Sequence, residues 1–248
     1  MIGDIATVMW KEWRELLPVG AAARGRNRAW SLLVVLLVFG IFLPLQSGRE
    51  WVESPLTLLY WGWVPLFMVT SVIADAFAGE RERHTLETLL ATRLPDTAIL
   101  LGKLLTAVLY GWGLAAASLL LGLITVNLTS WSGTFLFYSP LVLVGGTVLG
   151  LLTAGLAAGV GVLVSLRASS VRQAAQTMSI AIMLLLFVPI FGFQALPRAT
   201  QAGLITSAQQ VNATAALLVA GGALLLVDIV VYGVARLRFR RDRLALDA

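Results

Sequence analysis

The sequence predicts an all-α integral membrane protein, a single transmembrane domain over residues 1–248. It has six transmembrane helices preceded by an amphipathic interfacial helix. Three observations predict this. Of the 248 residues, 58% are hydrophobic and only 12% charged, against about a quarter charged in soluble domains, and the mean hydropathy is +0.88. From Leu104 to Leu166 there is no Asp, Glu, Lys, Arg or His. Finally, Lys and Arg collect between alternate apolar runs.

A span needs about 20 apolar residues to cross about 30 Å of hydrocarbon. Six stretches meet or approach this: Trp30 to Leu45, Pro55 to Asp75, Leu104 to Val126, Phe135 to Leu166, Val171 to Gly192 and Asn212 to Ala235. The first is short and the fourth long, so a tilt, a kink or an extension beyond the bilayer is expected there.

Orientation follows from basic residues, which accumulate in cytoplasmic connections. One side collects Lys11, Arg14, Arg24, Arg26 and Arg28, then Arg81, Arg83, Arg93 and Lys103, then Arg167 and Arg172, then Arg236, Arg238, Arg240, Arg241 and Arg243; the other holds only Arg49 and Arg198. With an even number of spans, sixteen of eighteen on one side places both termini in the cytoplasm. Residues 1–20 contain Asp4, Lys11, Glu12, Arg14 and Glu15 instead of the apolar core of a signal peptide. The setting expected is a cell membrane, with a composition that suits a prokaryotic inner membrane.

Residues 4–17 read as the amphipathic helix. At helical spacing Ile5, Val8, Met9, Trp10, Trp13, Leu16 and Leu17 share one arc, opposite Asp4, Thr7, Lys11, Arg14 and Glu15, with Pro18 and Gly20 ending the helix. Glu12 falls in the apolar arc and breaks the pattern. The helix suits the headgroup layer, and a seat on the protein's own cytoplasmic surface is the compatible second reading.

Small residues crowd the fourth span, where Gly146, Gly150, Ala154 and Ala158 recur every four positions. That pattern lets helices approach closely in lipid, whether within one chain or between two. Trp30, Trp51, Trp131 and Tyr138 read as interface anchors. Trp61, Trp63 and Trp112 lie deeper, with Asp228 the one acid well inside a span; these four are candidates for lining a pathway or for packing. An ionised group there costs at least about 2.5 kcal/mol and should face protein or a hydrated cavity. Residues 193–211 are too long for a turn and too apolar for a free loop, so a short helix or re-entrant segment at the outer side is expected. The sequons at Asn127 and Asn212 are at chance level. No cysteine and a single His84 exclude disulfides, thiolate metal sites and a histidine-rich metal centre. The basic residues border apolar runs, which argues for topology and against nucleic-acid binding.

The connection between the second and third spans, residues 77–103, is the most informative. Glu80 to Ala91 reads as one short amphipathic helix with Leu86, Leu89 and Leu90 on one side and Glu80, His84, Glu87 and Thr88 on the other. Arg83 and Glu87 are spaced for an i,i+4 pair. Pro95 ends this helix and Asp96 is positioned to N-cap the next. Such a helix suits docking into a groove of a soluble partner.

Within this connection Glu80-Arg81-Glu82, Thr85-Leu86-Glu87, Leu89-Leu90 and Ile99-Leu100-Leu101-Gly102-Lys103 resemble the signature of the ABC-2 permease family, in which glycine usually stands at the place of His84 and proline at that of Arg93. Motif identity covers about 25 residues, and the six-span plan with its leading helix extends the likeness along the chain. The resemblance implies the membrane subunit of an ATP-driven exporter, paired with a second permease subunit of identical sequence and with separate ABC ATPase subunits. Residues 80–98 would be the cytoplasmic coupling segment, with Glu80, Arg81, Glu82, Arg83, His84, Thr85, Leu86, Glu87, Leu89 and Leu90 in contact with or close to the ATPase. Residues 4–17 would be the connecting helix. ATP and Mg²⁺ would bind the partner, since Gly102-Lys103 lacks both the upstream glycine and the following hydroxyl of a phosphate-binding loop. Catalytic residues, a metal site and a cofactor of this chain's own are not expected. The uncharged spans favour an amphipathic or lipid-like cargo. An ion-coupled carrier and a non-transporting membrane scaffold are the alternative readings, the first weakened because only Asp228 could serve for coupling.

Overall fold

The computed structural model describes residues 1–16, 22–131 and 133–239. The expected helix stop at Leu17, Pro18 and Gly20, and the basic residues Arg240, Arg241 and Arg243, lie outside the described residues, as do the side chains of Arg24, Arg26, Arg28, Leu86 and Leu90.

The described residues form helices: α1 (Ile2–Leu16), α2 (Ala22–Leu37), a π-helical turn (Val38–Phe42), α3 (Leu43–Ser47), α4 (Glu50–Glu53), α5 (Thr57–Ile73), α6 (Asp75–Glu82), α7 (Leu86–Leu90), α8 (Asp96–Thr129), α9 (Pro140–Ser165), α10 (Val171–Gln194), α11 (Arg198–Gln210) and α12 (Ala213–Arg238). Among the described residues six helices are long and apolar enough to cross a membrane: Trp30–Ser47, Thr57–Glu82, Asp96–Thr129, Pro140–Ser165, Val171–Gln194 and Ala213–Arg238. The protein is an all-α membrane protein with a helix preceding its spans, as its hydropathy predicts.

α5 is the centre of the bundle, packed on α8 and on α9; α9 carries α12, α2 and α3 run along α8, and α1 lies on the first turns of α8. The small residues of α9 explain the order. Gly146 and Gly150 admit Trp61, and a Cβ at Gly161 would lie 2.1 Å from Ile73 Cγ2. Gly155 and Gly159 receive Asp228 and Val231 of α12. The stripe is therefore used within the chain, on two neighbours.

The first span widens into the π turn just before Pro44. Proline has no N–H, so an α-helical partner for the Gly40 carbonyl is missing. Thr125 of α8 supplies it, its hydroxyl donating to the Gly40 oxygen at 2.8 Å. In lipid such a carbonyl must be satisfied by protein.

Several expectations need correction. The fourth span begins at Pro140, because residues 135–139 run extended: the Tyr138 hydroxyl donates to the Leu119 carbonyl at 2.9 Å, and the Ser139 N–H donates to Val52 at 3.0 Å. Trp51 and Tyr138 are core residues, not interface anchors; Trp51 is 1% exposed and stacks at 5.4 Å on Tyr60. Trp30 and Trp131 remain exposed, as anchors would be. The N-cap of α8 is Pro95, with Asp96 as first helical residue, because the extended conformation that proline enforces ends the preceding turn. Residues 198–210 form the expected short helix, α11. Both sequon asparagines serve the backbone: Asn127 bonds Leu123 and Leu136, and Asn212 caps α12 through Thr214.

Candidate functional site

The charged residues meet at one end of the bundle, where α1, the end of α6, the start of α8, the α9–α10 connection and the end of α12 converge. Its floor is apolar: Phe77 packs on Phe239 with ring centroids 5.0 Å apart. The Ser165 hydroxyl accepts from the N–H groups of Phe77 and Ala78 and donates to the Ala74 carbonyl, at 3.1, 2.9 and 3.1 Å. This spans the turn at Ala74 between α5 and α6 and carries the second span onward to Glu82.

Glu80, Arg81 and Glu82 each leave this last turn of α6 in a different direction. Glu80 is buried and accepts from Lys11 at 2.8 Å and Lys103 at 3.3 Å through Oε1, and from the Thr85 hydroxyl through Oε2. Lys103, 3% exposed, also donates to Glu12 at 2.7 Å. Arg81 donates to the carbonyls of Ala168 and Leu166 at 2.6 and 2.9 Å, closing the end of α9 where a cation is favoured. Glu82 accepts from the Val171 N–H at 3.1 Å, the start of α10, where an anion is favoured. Three consecutive residues thereby fasten α6 to α1, α8, α9 and α10.

Burial opposes the charge on Lys11, but the hydrogen bond to Glu80 and the charges of Glu12 and Glu80 outweigh it and hold the ammonium above its ordinary pKa. Glu12, Glu15 and Glu80 bring carboxylate oxygens within 4.8 Å of one another. Lys11 and Lys103 stand among them, so the arrangement is an ion-pair cluster and not a cation site.

Beyond Glu82 the chain turns. The expected single helix from Glu80 to Ala91 is broken: α6 stops at Glu82, His84 takes φ +56°, and α7 starts at Leu86. A helix cannot continue through a left-handed residue. Glycine adopts that conformation freely, which accounts for the glycine usual at the place of His84 in proteins with this motif. The break also redirects the expected pairs. Arg83 reaches back to Asp75 at 3.4 Å instead of forward to Glu87, and Leu89 packs inward on the core beside Leu94. Among the described side chains of residues 82–90 the exposed ones are polar: Glu82, Arg83, His84, Thr85, Glu87 and Thr88.

The other candidates lie apart from this cluster. Trp61 is 1% exposed, edge-on to Trp51 and Tyr138 and pressed against Gly146. Trp63 lies beside Phe67, and Trp112 donates to the Thr147 carbonyl at 3.2 Å. Trp61 and Trp112 thus pack between helices, whereas the ring partner of Trp63 is on its own helix. Asp228 faces Gly155 of α9, with Oδ1 buried and without a hydrogen-bond partner. A cleft of about 410 Å³ opens between α5 and α10, its apolar walls interrupted by Thr70, Ser71 and Ser179.

Lys11, Glu12 and Lys103 belong to the site; Lys103 lies within the signature motif, but helical periodicity assigns none of the three this role. One signal was present, the carboxylate of Glu12 in an otherwise apolar arc.

No curated protein and no solved structure matches the chain. The family described as "ABC-2 family transporter protein" matches residues 43–212, which contain four of the six spans whole, the end of the first and the entire Glu80–Glu82 junction. With six apolar helices around that junction, the chain belongs to the ABC-2 transporter family and is a multi-pass membrane permease of an ABC transporter.

Proposed function

We propose that this permease is the transmembrane subunit of an ATP-driven exporter, working as a dimer with a second, identical permease subunit and with separate ATPase subunits docked at the charged end. That end, with both termini, faces the cytoplasm of a prokaryotic inner membrane. The observation that carries the reading is the exposed turn at Arg83–Thr88 standing on Glu80-Arg81-Glu82. Force applied to the turn reaches four other helices through hydrogen bonds and ion pairs, without a flexible link between them. Arg83, His84, Glu87 and Thr88 form the docking face, and Glu80, Arg81, Glu82 and Thr85 its support.

ATP and Mg²⁺ bind the partner. The exposed apolar flanks of α10 and α12 face lipid and the second permease subunit. An amphipathic or lipid-like cargo suits the cleft between α5 and α10, where hydroxyls interrupt an apolar wall.

The test is purification of the tagged, full-length chain from its native membrane. A subunit with an ABC nucleotide-binding site should copurify, and Glu87→Arg should lower its recovery several-fold with membrane insertion unchanged. Recovery of the chain without any such ATPase would overturn the reading. Wild-type recovery and ATP-driven transport by Glu87→Arg would overturn the docking face.

A further inference from the structure

We propose that Lys103 is a positioning residue that fastens the amphipathic helix α1 to the docking turn, so that the two move as one body. The inference rests on the docking reading above and deepens it.

Lys103 lies in the second turn of α8 with its ammonium nearly sealed from solvent, between Glu12 of α1 at 2.7 Å and Glu80 of α6 at 3.3 Å. Lys11 approaches the same Glu80 oxygen from the other side at 2.8 Å. Two adjacent residues of α1 thus hold the junction with opposite charges, Lys11 directly and Glu12 through Lys103.

Apolar contact alone could seat α1, since Val8 already lies where a Cβ at Gly102 would be. Hydrophobic contact is non-directional, however, and would let the helix slide or rotate on α8. A buried charge network is directional and adds little to stability relative to well-packed apolar residues, so its distinctive contribution is geometry. Glu12, in the apolar arc of an otherwise regular amphipathic helix, is where stability yields to registration. The Thr85 hydroxyl on Glu80 brings the network to the first residues beyond the turn. Displacement of the turn therefore draws α1 along the membrane surface together with the start of α8.

The test uses the purified permease–ATPase complex in proteoliposomes. In Lys103→Met the ATPase subunit should still copurify, while transport per ATP hydrolysed falls roughly tenfold, the size expected of a coupled pair. Glu12→Gln should give the same uncoupling, and Glu12→Gln/Lys103→Met should be no worse than either alone, because both remove one linkage. Wild-type transport per ATP in Glu12→Gln, or additive losses in the double variant, would overturn the proposal. A packing role for Lys103 would lower the amount of inserted protein and leave the ratio of transport to hydrolysis unchanged. If Lys103→Met does not accumulate, Glu12→Gln decides alone. Failure of the wild-type complex to form would count against the docking reading and is seen before any variant is made.

Discussion

Arg81 donates to the Ala168 carbonyl at 2.6 Å, a bond that joins the end of the second span to the connection between the fourth and fifth. With the second bond to Leu166 it uses the planar fork of the guanidinium on two carbonyls at once. An ammonium cannot reproduce that geometry. Arg81→Lys should lower the apparent melting temperature of the solubilised protein, by a loss of about 1.5–3 kcal/mol for one charge-assisted bond. Arg81→Ala should lower it further. Equal melting temperatures for wild type and Arg81→Lys would show that one donor suffices.

His84 has φ +56° and an exposed side chain. A non-glycine residue gives up about 1–2 kcal/mol in this conformation. His84→Gly should therefore raise stability by about 0.5–1 kcal/mol after the added flexibility of glycine in the unfolded chain is allowed for, and His84→Val should lower it. Thermal unfolding of the three proteins in one detergent gives the order Gly, His, Val; a more stable valine variant would contradict the left-handed turn.

Thr125 donates to the Gly40 carbonyl at 2.8 Å and to its own helix at Leu121. Thr125→Val keeps the shape and removes the donor, leaving a carbonyl unsatisfied beside Pro44 at a cost of about 1–3 kcal/mol. Thr125→Ser keeps the hydroxyl and should lose less. Melting temperatures in the reverse order would mean that the methyl group, not the hydroxyl, is what the site uses.

Gly155 leaves room for the Asp228 carboxyl. A Cβ at Gly155 would lie 3.2 Å from Oδ2. Gly155→Ala should push the carboxyl towards lipid and reduce the yield of inserted protein, and the Asp228→Ala background, with nothing to displace, should relieve the loss. Independent losses in the double variant would show that the two residues do not share this space. Asp228→Asn fits the same gap without charge and should transport normally; loss of transport at normal yield would assign the charge a role in the transport step.

Topology is checked with single cysteines in this cysteine-free chain. An impermeant thiol reagent added outside intact cells should label Ser47→Cys and leave Thr88→Cys and Ser169→Cys unlabelled. Labelling at Thr88→Cys would invert the assignment of the charged end to the cytoplasm.

The sequence by itself determined the number and rough extent of the spans, because burial in lipid is a property of each segment's own composition and length. It determined the family as well, since the motif from Glu80 to Lys103 is local. Whether α9 would spend its small residues inside the chain was not legible, since the answer is the position of Trp61, Ile73, Asp228 and Val231 on two other helices. The directions of Glu80, Arg81 and Glu82 were equally hidden. Read as one turn of a regular helix, Glu80 belongs to a polar face; in the fold it is buried, because Lys11 and Lys103, 69 and 23 residues away in the chain, arrive on either side of it. Periodicity places a side chain on its own helix, but the partners of a charge come from other segments, and only tertiary structure brings those segments together.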